Sequence, residues 1–170
     1  MILVLMGVTG SGKTTIGKML AAETGWRFAD ADDFHSEANK AKMHAGIPLT
    51  DEDRIPWLNS LHQLLLGWYE SGISGILGCS ALKASYRAML TPQIPSVNLR
   101  FILLEVSRTA LEERLKGRKN HYMNPDLLQS QLETLEVTPD LVRVDAEGPP
   151  QNIVQEILDQ LLTVEGKIDV

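Results

Sequence analysis

The 170-residue sequence contains one cysteine, Cys79, and no CxxC pair. A single thiol cannot form an intrachain disulfide, and the missing pair removes the usual signature of a structural zinc site or a redox motif. The apolar run Ile2–Met6 is too short for a signal-peptide core and lacks a basic flank, and no segment has the apolar length needed to span a bilayer. We therefore expect a cytoplasmic protein that does not enter the membrane.

Positive charge is also scarce, since 16 Lys and Arg stand against 22 Asp and Glu, for a net charge of −6. This balance argues against a protein that holds nucleic acid or anionic lipid over a broad surface. A small anionic ligand would need a local positive pocket. Apolar residues make up 44% of the chain and no repeat or low-complexity stretch is present, so the sequence predicts one folded domain, residues 1–170.

Patterns typical of strands alternate with patterns typical of helices along the chain, which predicts βαβ units and a parallel sheet covered by helices on both faces. The fold class is therefore α/β. Gly25 predicts the end of the first helix. Pro48 and Pro56 are expected to bracket a loop. The predicted strands are 2–6, 26–29, 72–78, 101–106 and 141–144, and the predicted helices are 14–23, 37–44, 57–69, 84–90, 108–116, 125–135 and 153–162, followed by a frayed tail from Glu165.

A phosphate-binding loop is predicted directly after the first strand and directly before the first helix. The segment matches G-x-x-x-x-G-K-[ST], in which glycines let successive backbone N–H groups wrap a phosphate. Lys13 would face the β and γ phosphates, and the Thr14 hydroxyl would face Mg²⁺. The residues of this loop are Gly7, Val8, Thr9, Gly10, Ser11, Gly12, Lys13 and Thr14. A GTPase is disfavoured because the single Asn-Lys pair, Asn39-Lys40, lies inside a predicted helix.

Carboxylates follow the second predicted strand, at the edge of the sheet where the phosphate-binding loop also emerges. In an extended segment, Asp30 and Asp32 would point the same way. One of them would lie near Mg²⁺, and the other would accept the proton of an attacking hydroxyl. The alternative is a solvated acidic loop or a helix N-cap near His35. Because the segment adjoins the phosphate-binding loop, we favour the catalytic interpretation, with Asp30 near the metal and Asp32 at the hydroxyl.

Cationic residues elsewhere provide candidates for binding anions. Arg54 enters a predicted helix one turn from a tryptophan, and Lys83 and Arg87 follow the third strand. The alternative is that Arg54 pairs with Asp51 or Asp53 on the surface, that Lys83 is solvated, and that Cys79 is a small buried hydrophobe. The densest positive stretch, residues 114–121, would suit either an arginine-bearing lid over ATP or a basic helix terminus that complements its dipole.

The motifs in this order resemble the gluconokinases, a branch of the P-loop kinases related to shikimate and adenylate kinases. The stretches Pro48–Leu58 and Cys79–Arg87 are the most specific parts of this resemblance. Thr9, Thr14 and Ala31 are conservative departures from it. The other matching segments are Gly7–Thr14, Asp30–His35, Asn39 with Lys42-Met43, Gly46, Arg118–Met123 and Leu127–Glu136.

The resemblance implies ATP-dependent phosphorylation of D-gluconate to 6-phosphogluconate, with Mg²⁺, in a P-loop kinase domain that has a lid at about residues 114–126 and is commonly dimeric. The expected catalytic residues are Lys13, Asp32 and Arg118. Thr15, Arg114 and Arg118 join the loop in binding ATP, and Thr14 and Asp30 hold the metal. The expected substrate contacts are Asp32, His35, Arg54, Lys83 and Arg87, with Arg54 the first choice for the gluconate carboxylate.

Two alternatives stay open. A shikimate-kinase-like enzyme would also carry a D-x-D after the second strand, but it should have a glycine-rich turn where this chain has Cys79–Lys83. A regulatory module that binds ATP without turnover is disfavoured by the presence of Lys13, Thr14 and the two aspartates.

Overall fold

The computed structural model describes residues 1–117 and 125–165. Within them, strands and helices alternate as the sequence predicts. None of the helices in these two ranges has the length and apolarity needed to cross a membrane. The strands are β1 (Ile2–Met6), β2 (Arg27–Asp30), β3 (Gly75–Gly78), β4 (Leu99–Glu105) and β5 (Val142–Asp145), and the helices are α1 (Lys13–Thr24), α2 (Glu37–His44), α3 (Asp51–Glu70), α4 (Ala84–Leu90), α5 (Arg108–Lys116), α6 (Pro125–Thr134) and α7 (Pro150–Glu165).

The five strands form one sheet in the order β2-β3-β1-β4-β5, and every neighbouring pair is parallel. The predicted α/β class is confirmed. The chain fills one side of β1 with β2 and β3 and then the other side with β4 and β5. The strand order therefore reverses at β1, and in open parallel sheets ligands bind beyond the carboxyl ends of the strands at such a point. The phosphate-binding loop leaves the sheet there.

Both faces of the sheet are covered, which is why β1 is a continuous apolar run. Successive side chains point to opposite faces. Leu3 and Leu5 pack on the side of α1 and α7, whereas Val4 and Met6 pack on the side of α3. No residue of β1 is more than 1% exposed, so the strand that carries the phosphate-binding loop is anchored in the centre of the molecule.

Helix α1 lies unusually close to β2. A Cβ atom at Gly17 would lie 2.3 Å from a ring carbon of Phe28, so only glycine permits this approach. The helix ends at Gly25, which adopts a left-handed conformation with φ 73° as predicted. This packing sets the distance between the loop at the start of α1 and the carboxylates at the end of β2.

The predicted loop between Pro48 and Pro56 is wrong, because α3 begins at Asp51 and contains Pro56. A capping box starts this helix: the Thr50 hydroxyl accepts from the Asp53 N–H at 3.1 Å, and the Asp53 carboxylate accepts from the Thr50 N–H at 3.0 Å. Proline lacks the N–H that would bond to the carbonyl four residues earlier. The cap, together with acidic residues in the first turn, starts the helix before that proline.

Candidate active site

The site is a cleft at the carboxyl ends of β1, β2 and β3, enclosing a cavity of about 540 Å³. Several predicted residues line it, together with residues from α2, α5 and α6 that the sequence analysis did not assign. The lining residues are Thr9, Gly10, Gly12, Lys13, Thr14, Thr15, Asp30, Asp32, Met43, Gly78, Ser80, Leu115, Leu127 and Gln131. This volume lies within the usual range for small-molecule sites.

The phosphate-binding loop has the backbone that its glycines permit. Gly7 has φ 142°, and a Cβ atom there would lie 2.7 Å from the Ser11 hydroxyl and 3.0 Å from the Leu104 carbonyl oxygen. Gly12 is left-handed, with φ 104°, where the loop enters α1. The Lys13 ammonium donates to the carbonyl oxygens of Gly7 and Val8, each at 3.0 Å. The loop therefore folds around its own cation and places a positive charge in the cleft.

A second basic residue holds the later part of the loop. Arg114, in the last turn of α5, donates to the carbonyl oxygens of Gly10 at 3.3 Å and Ser11 at 3.4 Å, and also to that of Ala146. These contacts connect α5 and the end of β5 to the loop. Arg114 therefore supports the loop by bonding to the loop's carbonyl groups. It is not among the residues that line the cavity.

The carboxylate segment turns sharply after β2, so the prediction of an extended Asp30–Asp32 segment is wrong. Ala31–Phe34 form a single 3-10 turn, which Asp30 caps by accepting from the Asp32 N–H at 3.0 Å. The other oxygen of Asp30 accepts from the Thr14 hydroxyl at 2.8 Å. Ser36, rather than Asp32, caps α2. The predicted convergence of Thr14, Asp30 and Asp32 is present, although through a turn.

Asp32 differs electrostatically from an ordinary surface aspartate. Burial by the walls of the cleft, and next the charge of Asp30, raise its pKa above the ordinary 3.8, while the charge of Lys13 opposes the rise. No described residue donates a hydrogen bond to its carboxylate. The group faces the open cavity and remains solvent-accessible. Asp32 is therefore more basic than an ordinary aspartate, and the positive charge of Lys13 acts on it.

His35 lies beyond Asp32 and stacks on a tryptophan. The rings of His35 and Trp57 are 4.3 Å apart at an interplanar angle of 11°, and the Trp57 indole donates to the Ala31 carbonyl oxygen at 2.7 Å. Burial is the main cause that lowers the pKa of His35, and the charges of Asp32 and Arg54 act on it with opposite signs. Its Nδ1 is buried and has no hydrogen-bond partner among the described residues. The lowered pKa favours a neutral imidazole, one nitrogen of which has no described partner, and the charges of both Asp32 and Arg54 act on this ring.

Arg54 does not pair with Asp51 or Asp53, so the surface ion-pair alternative is wrong. Its guanidinium lies 5.5 Å from the centre of the Tyr86 ring and makes one long hydrogen bond, of 3.4 Å, to the Leu49 carbonyl oxygen. Its Nε is buried and has no partner within residues 1–117 and 125–165. The two aspartates bind lysines instead, since Asp51 pairs with Lys83 at 3.0 Å and Asp53 with Lys42 at 2.8 Å.

Lys83, directly before α4, is held in a small network with Asp51 and Tyr86. Its ammonium contacts both oxygens of Asp51 and lies 5.3 Å from the centre of the Tyr86 ring. The Tyr86 hydroxyl donates to Asp51 as well. The Tyr86 hydrogen bond, followed by that of Lys83, lowers the pKa of Asp51. The solvated-lysine alternative is thus wrong, and the charge of Lys83 is already matched by a carboxylate.

The predicted substrate contact of Arg87 is corrected by its surroundings. Arg87 is 4% exposed, and its guanidinium donates to the carbonyl oxygens of Ala81, Leu82 and Glu136 and to the hydroxyl of Thr138. These bonds tie the loop after β3 to the segment after α6. An arginine with its donors directed to these four acceptors supports the fold and is not placed to bind a substrate. Cys79, by contrast, is buried as expected, and burial raises the pKa of its thiol to about 12.

The predicted lid lies mostly outside the described residues. Residues 114–116 form the end of α5, and residues 125–126 begin α6. Arg118, together with the rest of the basic stretch after Gly117, lies outside the described residues. The lining residue that local sequence could least reveal is Gln131 of α6, whose side-chain oxygen accepts from the Thr9 N–H at 2.7 Å. Its partner is distant along the chain, and its only sequence signal was its place in the stretch Leu127–Glu136.

Comparison with known proteins identifies the family of this chain. A model of the shikimate kinase family matches residues 9–162. A probable gluconokinase of Dictyostelium discoideum is 45% identical over 95% of this chain and 86% of its own length, and a gluconokinase of Gluconobacter oxydans is 42% identical over 92% and 88%. The crystal structure of a gluconokinase from Sinorhizobium meliloti has a TM-score of 0.87 at 40% identity and covers 98% of this chain and 94% of that one. The chain belongs to the gluconokinases, within the shikimate kinase family of P-loop kinases.

Proposed function

We propose that this protein uses ATP to phosphorylate the terminal hydroxyl of D-gluconate, giving 6-phosphogluconate. One observation carries the proposal: a single cleft holds the phosphate-binding loop with Lys13, the Thr14–Asp30 pair and the carboxylate of Asp32. Phosphoryl transfer is mainly a matter of positioning and charge stabilisation, and these are the groups it requires. The gluconokinase relatives support gluconate as the acceptor.

The loop would hold the nucleotide through the backbone N–H groups of residues 7–14 and the start of α1, with Thr15 beside them. Lys13 would leave the carbonyl oxygens of Gly7 and Val8 and neutralise the β and γ phosphates. Thr14 and Asp30 fit Mg²⁺, because a hydroxyl and a carboxylate oxygen only 2.8 Å apart are hard donors of the kind this cation binds, with phosphate oxygens and water as its other ligands. When bound, the ion neutralises charge on the phosphates.

Asp32 would accept the proton of the attacking hydroxyl. As the hydroxyl oxygen bonds to the γ phosphorus, the bond from that phosphorus to the ADP oxygen breaks. A carboxylate with a raised pKa is better matched to this proton than an ordinary aspartate. We also propose His35 as a substrate contact, because its Nδ1 has no hydrogen-bond partner among the described residues and would accept a bond from a substrate hydroxyl that reaches it.

The carboxylate of gluconate lies at the opposite end from the reacting hydroxyl, and Arg54 is the proposed contact for it. Its guanidinium has no ion-pair partner among the described residues, and its Nε is buried without an acceptor. Arginine binds a carboxylate with two parallel hydrogen bonds, which lysine cannot do. Lys83 is second, because Asp51 already matches its charge.

Three further parts of the proposal follow from the sequence, and for Arg114 the hydrogen bonds to the loop add a structural observation. Arg118 would reach the transferring phosphoryl group from a lid at about residues 114–126, and Arg114 would contribute to nucleotide binding through the loop that it supports. We also propose a homodimer, as the resemblance implies, and a cytoplasmic location, which the single cysteine favours.

An ADP-release assay with a panel of acceptors tests the function. We expect turnover with ATP, Mg²⁺ and D-gluconate, and little with shikimate. Lys13→Ala should nearly abolish turnover while the fold persists, and Lys18→Ala, an exposed lysine of the same helix, should not. Turnover with shikimate alone would favour the shikimate-kinase-like alternative, and ATP binding without turnover on any acid would favour the regulatory module. Near-normal activity of Lys13→Ala would refute the kinase proposal.

A further inference from the structure

Gln131 reaches from α6 to the phosphate-binding loop. Its Oε1 accepts a hydrogen bond from the Thr9 N–H at 2.7 Å. The orientation of this amide is fixed by chemistry, since a backbone N–H can bond only to the oxygen of a side-chain amide and not to its NH₂ group. The Nε2 group therefore projects away from Thr9, in the plane of the same amide.

That NH₂ group has two donors and no acceptor among the described residues. Gln131 is half-buried and lines the cavity together with Lys13, Thr14 and Asp32. A donor that has no partner among the described residues and shares a cavity with a cation is suited to an anionic acceptor. The other lining residues from α5 and α6, Leu115 and Leu127, have apolar side chains.

We propose that Gln131 contacts the terminal phosphate of ATP, with Nε2 donating to a γ-phosphate oxygen while Oε1 holds the Thr9 N–H. Through these two atoms, one side chain would couple α6 to the shape of the loop and to the presence of the third phosphate. The inference rests on the proposed function only in taking the nucleotide to be a triphosphate. It adds a phosphate contact from a helix that the loop motif does not include.

The competing explanation is that Gln131 only anchors the loop. Gln131→Glu and Gln131→Met together separate the two. In Gln131→Glu, a carboxylate still accepts from the Thr9 N–H but replaces the NH₂ donor with a negative charge. An anchor alone would keep its hydrogen bond in this variant, but the new charge would repel phosphate in either case, so Gln131→Met, which removes the donor without adding charge, must show the same selective loss. A phosphate contact would lose a charge-assisted hydrogen bond and gain a repulsion, and the loss would fall on ATP more than on ADP. Gln129→Glu is the matched control, since Gln129 lies on the same helix but bonds to Arg108 and Glu133.

The experiment is calorimetric titration of the full chain with ADP and with a non-hydrolysable ATP analogue, with Mg²⁺ and without any acceptor. For Gln131→Glu we expect the dissociation constant of the ATP analogue to rise about tenfold or more and that of ADP about threefold or less. Gln129→Glu should match wild type for both ligands. Equal effects on the two nucleotides, or no effect, would overturn the proposal and leave Gln131 as an anchor.

The test is independent of which acceptor the protein phosphorylates, and a second variant controls for the added charge. No acceptor is present, so a protein that phosphorylates a different acid, or none, gives the same binding result. Gln131→Met is measured alongside Gln131→Glu, with thermal unfolding to show that each variant folds, because it removes both hydrogen bonds without adding charge. The same criterion then applies: a larger loss for the ATP analogue than for ADP supports the phosphate contact, and an equal loss refutes it.

Discussion

Replacing Asp32 by asparagine separates catalysis from structure at the centre of the cleft. Asparagine keeps the shape of the side chain and removes its basicity. The carboxylate accepts no hydrogen bond from the described residues, and the capping roles nearby belong to Asp30 and Ser36. The change therefore removes a proton acceptor without removing a structural contact.

The magnitude follows from the proposed role. A positioned general base usually contributes 10²-fold to 10⁴-fold, so kcat should fall by about 10²-fold or more, equivalent to about 2.7 kcal/mol or more in the activation barrier. Affinity for ATP should change less. The acid limb of the wild-type kcat/KM profile should reflect a pKa above 3.8, because burial and Asp30 both raise that of Asp32. Asp32→Asn should lose this limb.

The stability of the variant should change in the opposite direction. The pKa of Asp32 is raised in the folded state, so its stabilising contribution is present below the unfolded pKa of about 3.8 and is lost as pH rises through the folded pKa. At neutral pH, asparagine relieves the cost of the charged form. We expect a Tm equal to or slightly above that of wild type, a small effect because the side chain is solvent-accessible.

Steady-state kinetics across pH, together with thermal unfolding, measure both effects. Asp33→Asn is the matched control, since Asp33 is adjacent and exposed but does not line the cavity, and it should behave as wild type. A normal kcat for Asp32→Asn would refute the general-base argument. A low kcat accompanied by a clearly lower Tm would mean that Asp32 supports the turn instead.

Four other substitutions have distinct expected outcomes. Arg54→Ala should weaken gluconate by about 2–3 kcal/mol and lose most of the preference for gluconate over its neutral amide, measured as kcat/KM; a retained preference would move the role to another cation. Arg87→Ala should lower the free energy of unfolding by about 2–4 kcal/mol in urea while the folded enzyme keeps its kcat, and a specific rise in the KM for gluconate would contradict this. Thr14→Val should raise the Mg²⁺ concentration for half-maximal rate and Thr14→Ser should not, whereas equal requirements would exclude Thr14 from the metal. Arg118→Ala should lower kcat by about 10³-fold with a smaller change in the KM for gluconate, and a normal kcat would leave that stretch a solvated connector.

Local patterns were sufficient for most of the fold. Helices α2, α4 and α5 occupy the predicted residues, because each begins at a turn or cap signal and follows the local period. The prediction of a loop between Pro48 and Pro56 was wrong for a reason that the sequence contains. Thr50 and Asp53 have the spacing of a capping box, which outweighs the helix-breaking effect of Pro56. The phosphate-binding loop also lies where its motif predicts, because the motif requires only a strand before it and a helix after it.

Long-range contacts decided the parts that local sequence could not. Arg87 and Arg54 are both cationic residues near turns, and nothing adjacent to them in sequence shows which one bonds to four acceptors and which one makes a single long hydrogen bond. Arg87 bonds to Glu136 and Thr138, which lie far along the chain. Gln131 was not predicted for the same reason, because its partner Thr9 lies in the phosphate-binding loop, far from α6 along the chain. Such pairs follow from topology, which brings separate segments to the same sheet edge.

In the proposed function, the charges around Arg54 explain how a chain of net charge −6 would bind an acid. The first turn of α3 carries Asp51 and Asp53, which would repel a carboxylate if they were unpaired. Asp51 binds Lys83 and Tyr86, and Asp53 binds Lys42, so both negative charges are matched locally. Arg54, in the same stretch, is left with no ion-pair partner among the described residues. At an ionic strength of 0.15 M, charges further than about 8 Å apart are largely screened at the surface. On the proposed role of Arg54, selection of an acid would depend on a nearby cation that has no ion-pair partner among the described residues, and not on the net charge of the protein.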